Sequence, residues 1–445
     1  MHQTISSAMF EQLETRRLMA GNPLTVVEQP MQGGGVALVV TGTTGADQIT
    51  LTTSPAGLVL GNTGGWSGSY SGIYRKISIN AGNGNDSVVV DPSVTNSLVI
   101  QGGYGDDTVT GGSGNDRVYG GMGTNRINGG AGNDVLVSIG GSPADSVTGG
   151  TGRDSFWTDS SASERILDAT ADENPNKHRV FKFVGAAGAQ VSKDLMGQNL
   201  VDPKATSTSF VYRNFKTNEL FSDAGPVSDD VRQGQVGNCY FLAPLSSIAR
   251  VSPNKIQQSV VDLGDGTYAV AFKKSGADVF VRVDADLPTY SWGAPAYAGL
   301  GAQASLWTGI MEKAWAQFRT TASTYSGISG GWMNTVYTAL GATNTNAYSA
   351  SSATSLASLI SQGLSQGKSV TLGIGTPKNG CPCVGGHAYD VVSVVRDAEG
   401  NITGIRLRNP WGVDGAGSDG ANDGYVTATP AQVLASFLGV TIGTV

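Results

Sequence analysis

Apolar positions along this chain follow several distinct rhythms, and each predicts a different element. Between residues 102 and 137 one apolar residue recurs every nine positions, at Val109, Val118, Ile127 and Leu136, among glycines and polar residues. That spacing predicts one tight turn and one short strand per nonamer. Further on, the stretch 306–318 carries apolar residues at 306, 307, 310, 311, 314, 315 and 318. This is the stripe of an amphipathic helix, with Ser305 placed to cap it. Residues 267–273 and 279–283 read as strands, and 355–368 as a helix leading into a strand over 369–374. A Val-rich run from Gly386 to Val395, a turn over 397–401 and a second run over 402–408 predict a hairpin. No run of 18 apolar residues occurs, so no membrane-spanning helix is expected.

The nonamers begin at Gly102, Gly111, Gly120 and Gly129, in direct tandem. Isolated copies start at Ala81 and Gly149. The sixth position holds Asp107, Asp116, Asn125 and Asp134 in the tandem, and Asp86 and Asp154 in the isolated copies. Glycine allows positive φ and close backbone approach in each turn. The pattern resembles the GGxGxDxUx repeat of RTX proteins. That likeness implies an all-β parallel β-roll or solenoid in which two nonamers make one coil, so repeats two apart share a side. One apolar residue per turn is a thin core, and calcium (Ca2+) bridging the carboxylates is expected to complete it. Asp116 and Asp134 should face a common ion, and Asp107 should share one with the neutral Asn125. Residues 35–80, with a degenerate copy from Gly42 to Leu51, read as decayed or capping turns of the same solenoid.

Composition divides the chain into a leader (1–20), a Gly/Asp-rich solenoid (21–158), a polar linker or inhibitory pro-segment (159–225) and an ordinary globular domain (226–445). The formal net charge is −7. With no Lys/Arg cluster this argues against a nucleic-acid partner and suits divalent cations. The first twenty residues lack the apolar core of an ordinary secretory signal. Their FEQLETRRLMAG segment resembles the LEPR-XLL leader of some bacterial surface proteins. Of three cysteines, Cys381 and Cys383 stand two apart, too close for an easy bridge. No disulfide framework is expected, and Cys239 remains a free thiol.

Cys239 follows the glycine-bearing turn QGQVGN and opens an apolar helical run. A helix N-terminus favours thiolate and points N–H groups at an oxyanion. Pro244 falls inside that run, where it removes a backbone donor and threatens a kink. The chain has histidines at 2, 178 and 387 only, so His387 is the one in the globular domain. The midpoint between His387 and Asn409 is Ala398, in the hairpin turn. Strand residues equidistant from a turn face each other, so Asn409 should orient the imidazole of His387.

Several segments together carry a family resemblance. QGQVGNCYFLAPLSSIA resembles the cysteine segment of the calpain family of papain-like proteases, GGHAYDVVSVV its histidine segment, and IRLRNPWG its asparagine segment. LWTGIMEKAWAQ, VRVDADLPT and DGYVTATPAQVLASF are similar to further family segments, so the likeness spans roughly 225–445. It implies an α+β fold of two papain-like halves, one mostly helical and one sheet-based, with a cleft between them. It also implies Cys239 as nucleophile, His387 as general base and acid, and Asn409 as orienter. Gln233 would supply an oxyanion donor, Trp411 would shield the His–Asn bond at the edge of the substrate site, and Gly331 and Gly386 would lie under the substrate backbone. Calpain cores hold calcium through acids at the positions of Asp230 and Ser305. One of those acids is lost here, so calcium dependence is expected to rest on the repeats.

These readings converge on a calcium-dependent cysteine endopeptidase acting on proteins or peptides outside the cell or at its surface. Two alternatives are a calcium-binding adhesion or matrix protein with a silent protease-like domain, and an acyl transferase on the same scaffold.

Overall fold

The computed structural model describes residues 24–445 apart from 32–33, 63, 142–143, 174–176, 196, 198, 348 and 418–419. The leader motif lies outside the described residues. The chain forms two compact units, one reaching to Phe181 and including 193–196, the other made of 182–192 and 197–445.

The first unit is a solenoid of two eight-stranded sheets. The chain alternates between them, so strands two apart pair in parallel. Val118 sits between Ile100 and Leu136, and Ile127 between Val109 and Val147. The eighth residue of every tandem nonamer is buried in one interior stack, which Phe156 extends. The upstream strands Val36–Thr41 and Gln48–Ser54 join these ladders in parallel. Thr25–Pro30, Gly57–Asn62 and Ser67–Tyr70 then add antiparallel pairs that cover the sheet ends.

The segment 159–225 differs from the expected linker. Arg165–Ile166 and Lys177–Val180 continue the solenoid ladders, whereas Phe183–Val184 and Val211–Asn214 pair with strands of the second unit. Its charged residues suggested a solvated connector. Glu164 and Glu173 instead are buried, and each carboxylate accepts a backbone N–H of the preceding coil.

The second unit has two apolar cores. One surrounds the helices Cys239–Val251 and Trp307–Arg319, where Phe241 stacks on Trp315 at 4.9 Å. A five-stranded sheet that includes Thr267–Lys274 and Ala277–Asp284 completes this half. The other core lies on a six-stranded antiparallel sheet holding Phe437–Thr444, Ser369–Ile374, His387–Arg396, Ile402–Arg408 and Tyr425–Ala428. The helix Cys239–Val251 runs through Pro244 without interruption. Leu306, not Ser305, is the N-cap of Trp307–Arg319, because Ser305 closes the preceding 3-10 turn.

Adding a Cβ at Gly150 (φ +101°) would place it 1.8 Å from the Gly130 carbonyl oxygen. Gly150→Ala is therefore expected to destabilise the first unit by more than about 1–2 kcal/mol. In calorimetry its transition should fall while that of the second unit stays in place.

Candidate active site

Cys239 is presented by a turn anchored at four points. Gln233 N–H donates to Pro410 O (2.7 Å), Gln235 N–H to Ala296 O (2.9 Å), Asn238 N–H to Val236 O (2.9 Å) and Gly330 N–H to Gly237 O (2.8 Å). His387 begins its strand opposite Ile374. Its Nε2 lies 2.8 Å from Asn409 Oδ1. The Asn409 amide is oriented from both ends: Oδ1 also accepts the Trp411 N–H (3.0 Å), and Nδ2 donates to Asp414 O (3.1 Å). Because Oδ1 is the acceptor, the imidazole proton belongs on Nε2, leaving Nδ1 as the basic nitrogen.

This contact arises by a different route from the expected one. The hairpin pairs Asp390 with Arg408 and contains two register shifts. Continuing that pairing puts Asn409 opposite Tyr389, so His387 is its diagonal neighbour on the same face.

Cys239 and His387 line one cleft, together with Gly331, Gly386, Trp332 and Leu438. Gly386 has φ +62°, and a Cβ on Gly331 would meet the Tyr240 ring at 2.5 Å. Trp411 is not part of the lining. It packs on the His387 ring at 4.7 Å, covering the His–Asn bond. Gln233 also stands away from the lining. It spends one Nε2 proton on Val236 O (2.7 Å), while its buried Oε1 has no partner.

Burial pushes the Cys239 thiol up, against backbone N–H groups of Ala388 and Cys239 that favour thiolate. The same burial pushes His387 down, against its bond to Asn409. Burial thus opposes the charged form of each group, while the backbone donors at Cys239 and the Asn409 amide at His387 favour it.

The two sides of the cleft are tied together by buried polar groups absent from the sequence reading. Arg250, on the Cys239 helix, pairs with the fully buried Asp390 on the His387 strand (2.9 Å). Arg408 reaches Asp229 (2.9 Å), Val231 O (2.9 Å) and Ser246 Oγ (3.3 Å). Arginine this close to Asn409 was visible in RNPWG, but its partners lie some 160–180 positions upstream. Asp230 is saturated by protein donors: Trp307 Nε1 (2.7 Å), Ala302 N–H (2.7 Å) and Val227 N–H (3.0 Å).

In the solenoid, the sixth-position residues form two columns. In one, Asp47 N–H donates to Asp86, Asp86 to Asp107, Asp107 to Asn125, Asn125 to Asp145 and Asp145 to Glu164, at 2.5–3.1 Å. In the other, Asp116 N–H donates to Asp134, Asp134 to Asp154 and Asp154 to Glu173, at 2.7–2.9 Å. Repeats two apart are thus in contact, Asp116 with Asp134 and Asp107 with Asn125. Asp145, Glu164 and Glu173 extend the columns beyond the motif, where the nonamer register had lapsed. The second oxygens of Asp86, Asp107 and Asp134 are buried without a partner. Burial pushes Asp107, Asp145 and Asp154 up to about 6, Asp116 and Glu164 to about 7, and Asp134 to about 8. Such orphaned, desolvated carboxylates fit a hard cation. Among the described residues no three acidic, His or Cys side chains gather to hold an ion, so backbone carbonyls would have to complete its shell.

Comparison with known proteins agrees with both halves. The sequence profile of the calpain family cysteine proteases matches residues 209–424. That of the RTX calcium-binding nonapeptide repeat matches residues 101–136 and 139–162. The calpain-type cysteine protease DEK1 of Zea mays is 34% identical over 199 residues, covering 41% of this chain and 9% of that protein. Calpain clp-4 of Caenorhabditis elegans is 30% identical over 225 residues, covering 44% and 29%. Calpain-5 of Mus musculus is 30% identical over 232 residues, covering 43% and 35%. The chain therefore spans about a third or less of the length of these relatives.

The column carboxylates have folded pKa values above their unfolded ones. Their contribution to stability is present below the ordinary carboxylate range and is lost as pH rises through about 6 to 8. In chelator, the melting temperature of the solenoid should fall between pH 4 and 8. Calcium, which stabilises the charged form, should flatten that profile.

Proposed function

We propose, from the premise that residues 209–424 form a calpain-family cysteine protease domain, that this protein is a calcium-dependent cysteine endopeptidase acting outside the cell or at its surface. One observation carries the reading: an imidazole hydrogen-bonded to a clamped asparagine amide shares a cleft with a free thiol.

In the mechanism this geometry supports, His387 Nδ1 takes the Cys239 proton as the sulfur attacks the peptide carbonyl. The resulting oxyanion is held by the Cys239 backbone N–H and the Gln233 amide, each worth roughly 3 kcal/mol. Collapse breaks the C–N bond, His387 gives its proton to the leaving amine, and a thioester to Cys239 remains. His387 then deprotonates water for hydrolysis of that thioester. A lowered histidine pKa suits the base role, since the imidazole is neutral at neutral pH. Asn409 keeps Nδ1 turned to the reaction, and Trp411 keeps water from the His–Asn bond. Gly331 and Gly386 leave room for an extended substrate backbone.

Calcium, when bound, would neutralise the carboxylates of Asp86, Asp107, Asp116, Asp134 and Asp154, with Asn125 as a neutral ligand, in columns extended by Asp145, Glu164 and Glu173. In the protease half the oxygens of Asp230 are already occupied by protein donors. RTX-type repeats and an acidic chain suit a calcium-rich exterior. Among the described residues no helix is long and apolar enough to cross a membrane.

Purified protein should cleave unfolded casein with calcium present, and Cys239→Ala should abolish cleavage. Asn409→Ala should lower kcat by roughly 10- to 100-fold through misplacement of the imidazole. Absence of cleavage by the folded, calcium-loaded protein would contradict the enzyme reading and favour a binding role. Asp116→Ala combined with Asp134→Ala should raise the calcium concentration needed for cleavage, read from a calcium titration of casein hydrolysis.

A further inference from the structure

The helix Trp307–Arg319 carries a carboxylate in its buried face. Glu312 is 2% exposed, and the residue before the candidate nucleophile, Asn238, is fully buried. Glu312 Oε1 accepts from Asn238 Nδ2 at 2.7 Å, and Oε2 accepts from the Ala298 N–H at 2.8 Å. Those donors belong to the two segments that form the Cys239 turn. Residues 232–235 run beside 296–299, with Gln235 N–H on Ala296 O (2.9 Å) and Gly299 N–H on Arg232 O (2.8 Å). One carboxylate therefore joins both segments to a rigid helix. Both of its oxygens accept, so the ionised form is the one these donors satisfy. Burial opposes that form and pushes Glu312 up to about 7, against both hydrogen bonds. A buried ion with so few partners is costly, and an apolar side chain would pack this helix face without that cost.

We infer that Glu312 is a positioning residue for Cys239, acting through Asn238 to hold the turn that sets the sulfur against His387. The inference rests on the endopeptidase reading, which assigns Cys239 its role. The hydrogen-bond inventory makes the claim specific. Asn238 Oδ1 is buried without a partner, so in the native pair the atom left wholly unpartnered is an acceptor. In Glu312→Gln a single oxygen faces two donors. Either Ala298 or Asn238 loses its acceptor, or the Asn238 amide flips and buries its NH2 group where Oδ1 now lies. Each arrangement orphans a donor and loosens the turn. Exchanging the two groups, Asn238→Asp with Glu312→Gln, restores the count. In that double variant the new amide on the helix accepts from Ala298 and donates to the new carboxylate in the turn, whose second oxygen again occupies the orphan site.

The test compares wild type, Glu312→Gln and the exchanged double variant in the full chain with calcium, each at its own pH optimum. Casein-derived peptide kinetics and the rate of Cys239 alkylation by iodoacetamide are both read. The single variant should lose about tenfold or more in kcat, with KM within about twofold of wild type. Alkylation should slow in parallel, and the exchange should recover most of both. Wild-type kcat and alkylation in the single variant would overturn the inference. So would failure of the exchange to recover them, whether it is folded or not. Because alkylation needs no peptide cleavage, an inactive wild type would sink the endopeptidase reading alone, and the alkylation series would still decide the role of Glu312.

Discussion

The bond from His387 Nε2 to Asn409 Oδ1 is the constraint around which the sheet-based half of the second unit is arranged. An amide orients an imidazole only if its own oxygen and nitrogen are assigned, and here both ends are held. Asp414, which receives the Asn409 NH2, is itself buried and accepts the Gly424 N–H at 2.9 Å. Asp414 thus ties Asn409 to Gly424, through its backbone carbonyl at one and its carboxylate at the other. Arg408, one residue earlier, fixes the end of its strand to the turn before Cys239. The machinery that orients the histidine and the machinery that places the cysteine therefore share neighbouring residues.

A single physical rule joins this cleft to the solenoid: a buried polar group must find a partner or change its charge. Around His387 the partners are built into the chain. In the solenoid each coil offers a backbone N–H to the next column side chain, and at Asp86, Asp107 and Asp134 the second oxygen is left dry. A narrow core of one apolar residue per nonamer cannot offset a row of repelling charges. Protonation relieves that repulsion, and the orphaned oxygens are of the chemistry that suits a hard cation. Around the cleft the second unit meets the same rule with arginines and backbone donors.

The nonamer register made the solenoid legible, because a period-nine apolar position has no other economical packing. The helix at Leu306–Phe318 and the strands near 267–283 were legible from their stripes, and Cys239, His387 and Asn409 from chemistry and spacing. Several features were not. The hairpin bulges between Val391 and Ser393 and between Val395 and Arg396 leave no mark in a pattern of valines, so the facing pair was misassigned even though the side chains meet. Glu164 and Glu173 looked solvated because their partners are backbone groups a full coil away. Ser305 has the chemistry of a cap, but the preceding turn uses its position. The burial of Cys239, which opposes the thiolate that the helix end favours, is revealed only by the fold. The motif could not show that the Val236 carbonyl takes one of the two Gln233 Nε2 protons, which leaves the other for an oxyanion.

The most direct measurement of the orienting bond is the tautomeric state of His387, read by two-dimensional 15N–1H NMR of histidine-labelled protein above the imidazole pKa. With three histidines in the sequence, the resonance can be assigned by difference against His387→Gln. The account predicts the Nε2–H tautomer, with Nδ1 unprotonated, and loss of that preference in Asn409→Ala. A His387 ring protonated on Nδ1, or an even mixture unchanged by loss of Asn409, would contradict it.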